Sequence, residues 1–314
     1  MWFYLAALLG IYFLRRWYRE RQTVENLSEK YVFITGCDSG FGHQLARQLD
    51  SKGMRVLAAC FTQKGAEQLE KVTSDRLKTT ILDVTITESV AAAADWVKRC
   101  VGDKGLWGLV NNAGVGQPSG LNQWLTKDDF AKIINVNLLG LIDVTLQLLP
   151  LVKKARGRVV NVSSMEGRLS VFGGGYSLSK HGVEAFSDSL RRELHHFKVR
   201  VCIIEPSIFL TSMTSNLLEE FGNIWKRVPS DIKEVYGQKY FETCCKRCEL
   251  FLSLANKNLC MITDCMEHGL TSSYPRTRYT TGWLSTALII LASLPTAIRD
   301  YIIIWSYPKP AQAV

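Results

Sequence analysis

The chain has 314 residues, 47% hydrophobic and 21% charged, which suits one large α/β domain or two small ones and a core that needs no disulfide staples. Its net charge of +9, from 38 basic and 29 acidic residues, comes without a basic stripe interleaved with aromatics or a recognised nucleic-acid module, so nucleic acid is excluded as a partner and a membrane surface fits the charge better. Nine cysteines are an odd number scattered through strands and helices, read as reduced thiols, and Cys244-Cys245-x-x-Cys248 lacks a histidine or second cysteine pair at zinc spacing, so no metal is expected.

Residues 2–14 are an uninterrupted apolar and aromatic run, followed by Arg15, Arg16, Arg19 and Arg21. The run is short for a span of ~20 residues, and no small-residue cleavage site follows it. A retained membrane anchor with a basic flank over residues 1–21 is the expectation, a buried N-terminal helix the alternative. The positive-inside rule then keeps the domain behind it in the cytosol.

From residue 31 the pattern changes. A buried strand over 31–35 runs into Gly36-Cys37-Asp38-Ser39-Gly40-Phe41-Gly42 and then a helix to about residue 51. A strand, a glycine-rich turn and a helix N-terminus make a cradle for a diphosphate, because glycines let the backbone approach closely and the helix end offers free N–H groups. A second strand, 54–60, ends in Ala59-Cys60-Phe61-Thr62 with Lys64 beyond, so no charge at its end selects NAD or NADP. The third, 79–83, stops on Asp83, suited either to an adenine amino group or to capping the helix from about residue 87. A fourth, from 106, ends in Asn111-Asn112-Ala113-Gly114, where small residues admit a flat ligand and asparagines can lock strands.

A long helix follows, with Asn137 in an otherwise apolar stretch where a buried amide needs partners. The fifth strand, 157–164, ends in Ser163 and Ser164. The next helix, 175–197, carries Tyr176 and Lys180, four residues apart and hence on one face. A phenol is a weak base at neutral pH, and a fixed cation beside it favours the phenolate. A sixth strand covers 199–206. Strands alternating with helices predict a parallel, doubly wound sheet with ligands at the carboxyl ends of its strands.

Beyond Thr211, Met213, Leu217, Leu218, Phe221, Ile224 and Trp225 recur at helical spacing, and a second amphipathic stretch runs over 232–252. They suit an apolar lid over 212–255 for a lipophilic alcohol, or ordinary packing of two helices on the sheet. A seventh strand is expected within 276–282. The tail, 283–305, is apolar apart from Arg299, Asp300 and a few hydroxyls, and Pro295 divides it into two short helices for a membrane interface, a homodimer burying the tail being the alternative.

Taken together, Thr35-Gly36-x-x-x-Gly40-x-Gly42, Asn111-Asn112-Ala113-Gly114, Asn137, Ser164, Tyr176-x-x-x-Lys180 and Pro206-x-x-x-x-Thr211 resemble the short-chain dehydrogenase/reductase family. Within it, Thr35 to Gly42, Lys104 to Gly114 and Phe186 to Leu194 are similar to the microsomal retinol and 3α/17β-hydroxysteroid dehydrogenases. That resemblance implies a Rossmann-type seven-stranded sheet over residues 28–282, an apolar tail over 283–314, and oxidation of a retinol or hydroxysteroid by NAD at the endoplasmic reticulum membrane. It implies Tyr176 as general acid/base, Lys180 lowering its pKa and holding the nicotinamide ribose, Ser164 on the substrate oxygen, and Asn137 supporting a water that links Lys180 to solvent. Thr35, Gly36, Ser39, Gly40, Phe41, Gly42, Asp83, Asn111, Ala113, Gly114, Tyr176, Lys180, Pro206 and Thr211 are expected around the dinucleotide, with Ser164 and Tyr176 on the substrate.

Two departures stand out. Ser164 precedes Tyr176 by twelve residues where the family commonly has thirteen, which makes Ser163 a rival, and Ser207 replaces a usual glycine after Pro206. Alternatives are an NADP-linked retinal or ketosteroid reductase with Lys64 or Arg55 near the ribose phosphate, and a dinucleotide- and lipid-binding protein without turnover.

Overall fold

The computed structural model describes residues 2–171 and 173–312. Seven strands, β1 (Tyr31–Thr35), β2 (Arg55–Cys60), β3 (Lys78–Ile81), β4 (Gly108–Asn111), β5 (Arg158–Val162), β6 (Arg200–Glu205) and β7 (Arg278–Thr280), form one sheet in the order β3-β2-β1-β4-β5-β6-β7. Every pairing is parallel. An N-terminal helix, α1 (Trp2–Glu20), precedes β1, and the crossovers between strands carry α2 (Gly40–Ser51), α3 (Gln63–Glu70), α4 (Thr87–Val101), α5 (Lys127–Ile134), α6 (Leu141–Ala155) and α7 (Gly175–Glu193). After β6 come α8 (Ser212–Ser215), α9 (Leu217–Arg227), α10 (Ser230–Tyr236), α11 (Gln238–Ser253) and α12 (Cys260–Thr271), then β7, α13 (Trp283–Ala292) and α14 (Thr296–Ser306).

Successive strand residues point to opposite faces, and both faces are covered, so the strands read as continuous apolar runs. Val32, Ile34, Val56, Val160 and Ile204 meet Leu45 and Leu49 of α2 and Ile262 and Met266 of α12. Phe33, Leu57, Leu109, Val159 and Val201 meet Val97, Leu148 and Leu190 from α4, α6 and α7 on the other side. Each such side chain, fully buried, contributes roughly 1.5–3 kcal/mol of transfer free energy.

Three features differ from the sequence expectations. The helix α12, absent from them, covers one face of the sheet, with Ile262, Thr263, Met266, Gly269 and Leu270 buried along one side of it. The expected amphipathic stretch over 232–252 is two helices, α10 and α11, broken at Gly237. The long helix around Asn137 is α5 and α6 joined through a π-helical turn, Asn135–Gly140. The unit Lys127–Ala155 is long and apolar enough to cross a membrane by composition, yet Ile133, Val144, Leu148 and Val152 are buried in the domain, which makes it a core helix.

Both terminal segments are helical. The end of α1 is clamped to the body: the Glu20 carboxylate pairs with Arg16 and Arg276, and its carbonyl accepts from His268 at 2.8 Å. Those two guanidiniums hold the Glu20 carboxyl at about 2. Leu8, Ile11, Phe13 and Leu14 remain exposed along α1, as do Trp283, Ile298, Ile304 and Trp305 along α13 and α14. Pro295 separates the last two helices, as its missing N–H predicts.

Candidate active site

The strand order reverses between β1 and β4, and at such a switch point the loops leaving the two strands diverge to opposite faces and open a crevice. Here the crevice is a cleft of about 920 Å³. Its floor at one end is the turn after β1. Gly36, at φ +70, lies so close to Ala113 that a Cβ would sit 2.8 Å from the Ala113 Cα, and Gly40, at φ +63, opens α2 beneath Thr211. Ser39 occupies the N-cap without capping the helix, its hydroxyl instead meeting Ser212 at 2.8 Å, so the first N–H groups of α2 face the cleft without a side-chain cap. Such an end suits a diphosphate.

The cleft floor is held by buried polar side chains. The Thr35 hydroxyl accepts from the N–H groups of Asn112 and Ala113, both at 3.0 Å, tying β1 to β4. Asn112 donates to the carbonyls of Thr35 and Gly36. Asn111 points into the domain, donating at 2.8 Å to Thr145 and to Asn161, which donates in turn to Ser187. Asn137, 1% exposed, clamps Val115 by accepting from its N–H at 2.8 Å and donating to its carbonyl at 2.9 Å, with a further bond to Ser179 of α7. Unpaired, each buried amide would cost about 1–3 kcal/mol, so these bonds fix the strand ends.

Asp38 lies in the same turn. Its carboxylate accepts from the N–H groups of Phe61 and Thr62, at 2.7 and 2.9 Å, and from the Thr62 hydroxyl, at 2.7 Å. An acid is thus delivered to the carboxyl end of β2 from the neighbouring strand's loop. Sequence reasoning searched only the end of β2 itself. The signal was available in the parallel pairing, which sets the carboxyl ends of β1 and β2 side by side.

At the other end of the cleft, α7 presents Tyr176 and Lys180 on one face. The Lys180 ammonium is 5.6 Å from the centre of the Tyr176 ring and donates to the Val162 carbonyl at 2.9 Å. Burial lowers Lys180 to about 8. The Ser164 hydroxyl lies beside the Tyr176 phenol and favours its ionised form, while Ser163 turns to donate to the Lys180 carbonyl at 3.4 Å. The geometry therefore separates the two serines.

The phenol is shifted in the direction opposite to the one a neighbouring cation alone would give. Tyr176 is held above its ordinary value, first by burial and then by the nearby Glu166 carboxylate, with the Ser164 hydrogen bond opposing both. Glu166, unremarked in the sequence, lines the cleft and accepts from the Ser177 hydroxyl, and burial raises it to about 7. Ser207 carries no backbone strain, since the described non-glycine residues at positive φ are Asn26, Arg156 and Lys198.

The lid packs on itself and lines the cleft. Trp124 centres an aromatic cluster with Phe221, Trp225, Tyr236 and Tyr240, at 4.8–6.2 Å between ring centres. Met213, Leu217, Phe221, Cys248 and Phe251 face the cleft. Of the residues expected around the dinucleotide, Gly36, Ser39, Gly40, Phe41, Asp83, Ala113, Gly114, Tyr176, Lys180, Pro206 and Thr211 line it. Thr35, Gly42 and Asn111 lie behind that lining, as does Asn137. Asp83 accepts from the N–H and hydroxyl of Thr85 and does not cap α4, whose N-cap is Ile86. Arg55 stands at the amino end of β2, bonded to Tyr31 and Ser28, on the wrong side of the sheet's edge for a ribose phosphate.

A parallel switch-point cleft with a glycine cradle at one end and Ser164, Tyr176 and Lys180 at the other defines a dinucleotide-dependent oxidoreductase of the short-chain type. Residues 30–221 match the short chain dehydrogenase family, to which the chain belongs. It is 58% identical to 17-beta-hydroxysteroid dehydrogenase type 6 of Bos taurus and 58% identical to Retinol dehydrogenase 16 of Homo sapiens, covering 100% of both chains in each comparison. Among solved structures, a short-chain dehydrogenase from Streptomyces avermitilis superposes with a TM-score of 0.71 at 24% identity, over 88% of this chain and 96% of that one. At that identity the likeness speaks for the fold alone.

Proposed function

We propose that the chain oxidises a lipophilic secondary or allylic alcohol, a retinol or a 3α- or 17β-hydroxysteroid, using NAD at a membrane. One observation carries the reading: the hydroxyl of Ser164, the phenol of Tyr176 and the ammonium of Lys180 meet at one end of a largely apolar cleft whose other end is a diphosphate cradle. The relatives named for retinol and hydroxysteroid substrates support the substrate class.

When bound, the dinucleotide supplies the hydride acceptor. The chain's own residues manage the proton and the geometry. Tyr176 takes the proton of the substrate hydroxyl, and Ser164 donates to the same oxygen, holding it within reach of the phenol. Because Tyr176 starts as a protonated phenol, positive charge on its Lys180 side is needed to bring it into range, and Lys180 is itself charged below about 8. Asn137 fixes the β4 loop against α7, so Tyr176 and the cradle keep one spacing. Apolar lid residues exclude water and receive the hydrocarbon body of the substrate.

Asp38 supports NAD over NADP, because a ribose phosphate at the end of β2 would face its carboxylate. Among the described residues lining the cleft the cations are Lys180 and Arg247, which stand toward the substrate end. The exposed apolar faces of α1, α13 and α14 and the basic flank of α1 support seating on the endoplasmic reticulum membrane, with the domain on the cytosolic side. Initial rates of detergent-solubilised protein with all-trans-retinol and an androsterone-type steroid, each offered NAD or NADP, test the reading. Turnover with NAD on either lipid is expected; dinucleotide binding without turnover on any alcohol would overturn it.

A further inference from the structure

The segment after α14 does not stay with the apolar tail. At Tyr307 the backbone becomes extended and the chain crosses back over the domain. Ala311 N–H donates to the Tyr236 carbonyl at 3.0 Å and Gln312 N–H to the Val235 carbonyl at 3.1 Å, satisfying two of the last carbonyls of α10. On the opposite bank the Tyr307 phenol donates to the carbonyl of Val171, in the loop that leads into Tyr176. The Arg247 guanidinium of α11 lies 5.3 Å from the centre of the Tyr307 ring.

This strap therefore ties the loop before α7 to the lid helices, with its own side chains facing inward. Tyr307 and Pro308 line the cleft alongside Met213, Leu217, Phe251 and Glu166. Burial raises the Tyr307 phenol above its ordinary value, which keeps it a donor to Val171. The residues just before it point the other way: Tyr301 and Trp305, at 72% and 83% exposed, leave apolar and aromatic surface of the kind that sits at a lipid headgroup boundary. One residue separates Trp305 from a wall of the cleft.

We propose that Tyr307 and Pro308 form the outer wall of the substrate site, so that the C-terminal strap selects long lipophilic alcohols arriving from the lipid phase. The proposal rests on the alcohol-oxidising reading above and assigns its substrate site a boundary. A short secondary alcohol, held only by Ser164 and Tyr176, does not reach the strap. A retinol or steroid, whose body extends along the apolar cleft, does. Selection by such a wall is a matter of shape and buried area, worth 10–200-fold for a small change in fit.

The test compares wild type, Tyr307→Phe and Tyr307→Ala as full-length protein in phospholipid vesicles. The readout is kcat/KM for all-trans-retinol and for an androsterone-type steroid, each divided by that for cyclohexanol. Tyr307→Ala is expected to lower this ratio at least ten-fold through KM for the long alcohol, and Tyr307→Phe, which keeps the ring and loses the bond to Val171, by two- to five-fold. A ratio unchanged within two-fold in Tyr307→Ala would overturn the proposal. Retinol binding to the dinucleotide-loaded protein, followed by retinol fluorescence, reads the same wall without turnover: a ten-fold weaker Kd in Tyr307→Ala is expected, and an unchanged Kd overturns it. If wild type binds retinol but oxidises none of the alcohols, the catalytic reading fails while the wall is still judged by that Kd. Unchanged dinucleotide affinity in both variants certifies that they are folded.

Discussion

The two ends of the cleft are built by different means. The dinucleotide end is backbone: Gly36 and Gly40 at positive φ, the uncapped start of α2, and hydroxyl and amide groups of Thr35, Asn112 and Asn137 spent on main-chain partners. The substrate end is side chain: an aromatic cluster around Trp124, apolar residues from α8, α9 and α11, and a strap returning from the C-terminus. A cofactor of fixed shape can be met by a fixed backbone, whereas an apolar substrate is recognised by shape and area, which many sets of side chains supply. The difference predicts that the two ends can be damaged separately.

Tyr176→Phe should have the largest effect, since it removes the group proposed to move the proton. A loss of about 10²–10⁴-fold in kcat is expected, with dinucleotide affinity retained in a fluorescence titration. Undiminished oxidation would show that another residue is the base. Next comes Trp124→Ala, which empties the centre of the lid and should cost about 3–5 kcal/mol in the stability of that region. Here the expected sign is a raised KM for the lipophilic alcohol and an increase in protease cleavage within residues 212–255, at unchanged dinucleotide affinity. Equal losses at both ends of the cleft would mean that they are not separable.

A smaller effect is expected at the cradle. Asp38→Asn keeps one acceptor oxygen, enough for the two bonds from Thr62, but loses the acceptor facing the Phe61 N–H and removes the charge, and should reduce the preference for NAD over NADP by about ten-fold, or ~1.4 kcal/mol. An unchanged ratio of kcat/KM for the two cofactors would remove Asp38 from the selection. Glu166→Gln should be subtlest. Above about 7 the Glu166 carboxylate is charged and disfavours the phenolate of Tyr176, so neutralising it lowers the Tyr176 pKa. The titratable groups on which Glu166 acts are Tyr176 of α7 and Tyr307 of the strap. The rising limb of the kcat/KM profile for oxidation, set by the base that must lose its proton, should move to lower pH by about half a unit to one unit. A profile that does not move would show that the two groups are uncoupled.

Much of the dinucleotide end was readable from the chain because its parts are local. A strand, a glycine turn and a helix start lie within residues 31–51, and Tyr176 and Lys180 share one helical face by spacing alone. Alternating strands and helices likewise determined the parallel sheet, since a parallel pair requires a crossover between its strands. What the chain by itself could not determine was every feature that depends on two distant segments meeting. Asp38 serves the end of β2 only because β1 and β2 are neighbours. Ser164, and not Ser163, reaches the phenol because the turn after β5 sets which hydroxyl faces α7's backbone and which faces the cleft. The direction of the Tyr176 shift belongs to burial and to Glu166, neither visible in a Tyr-x-x-x-Lys spacing. And Tyr307, well over a hundred residues beyond Val171, joins the substrate wall only once the tail has turned back on the lid. Local sequence carries backbone geometry; desolvation, charge coupling and apolar shape are properties of the assembled fold.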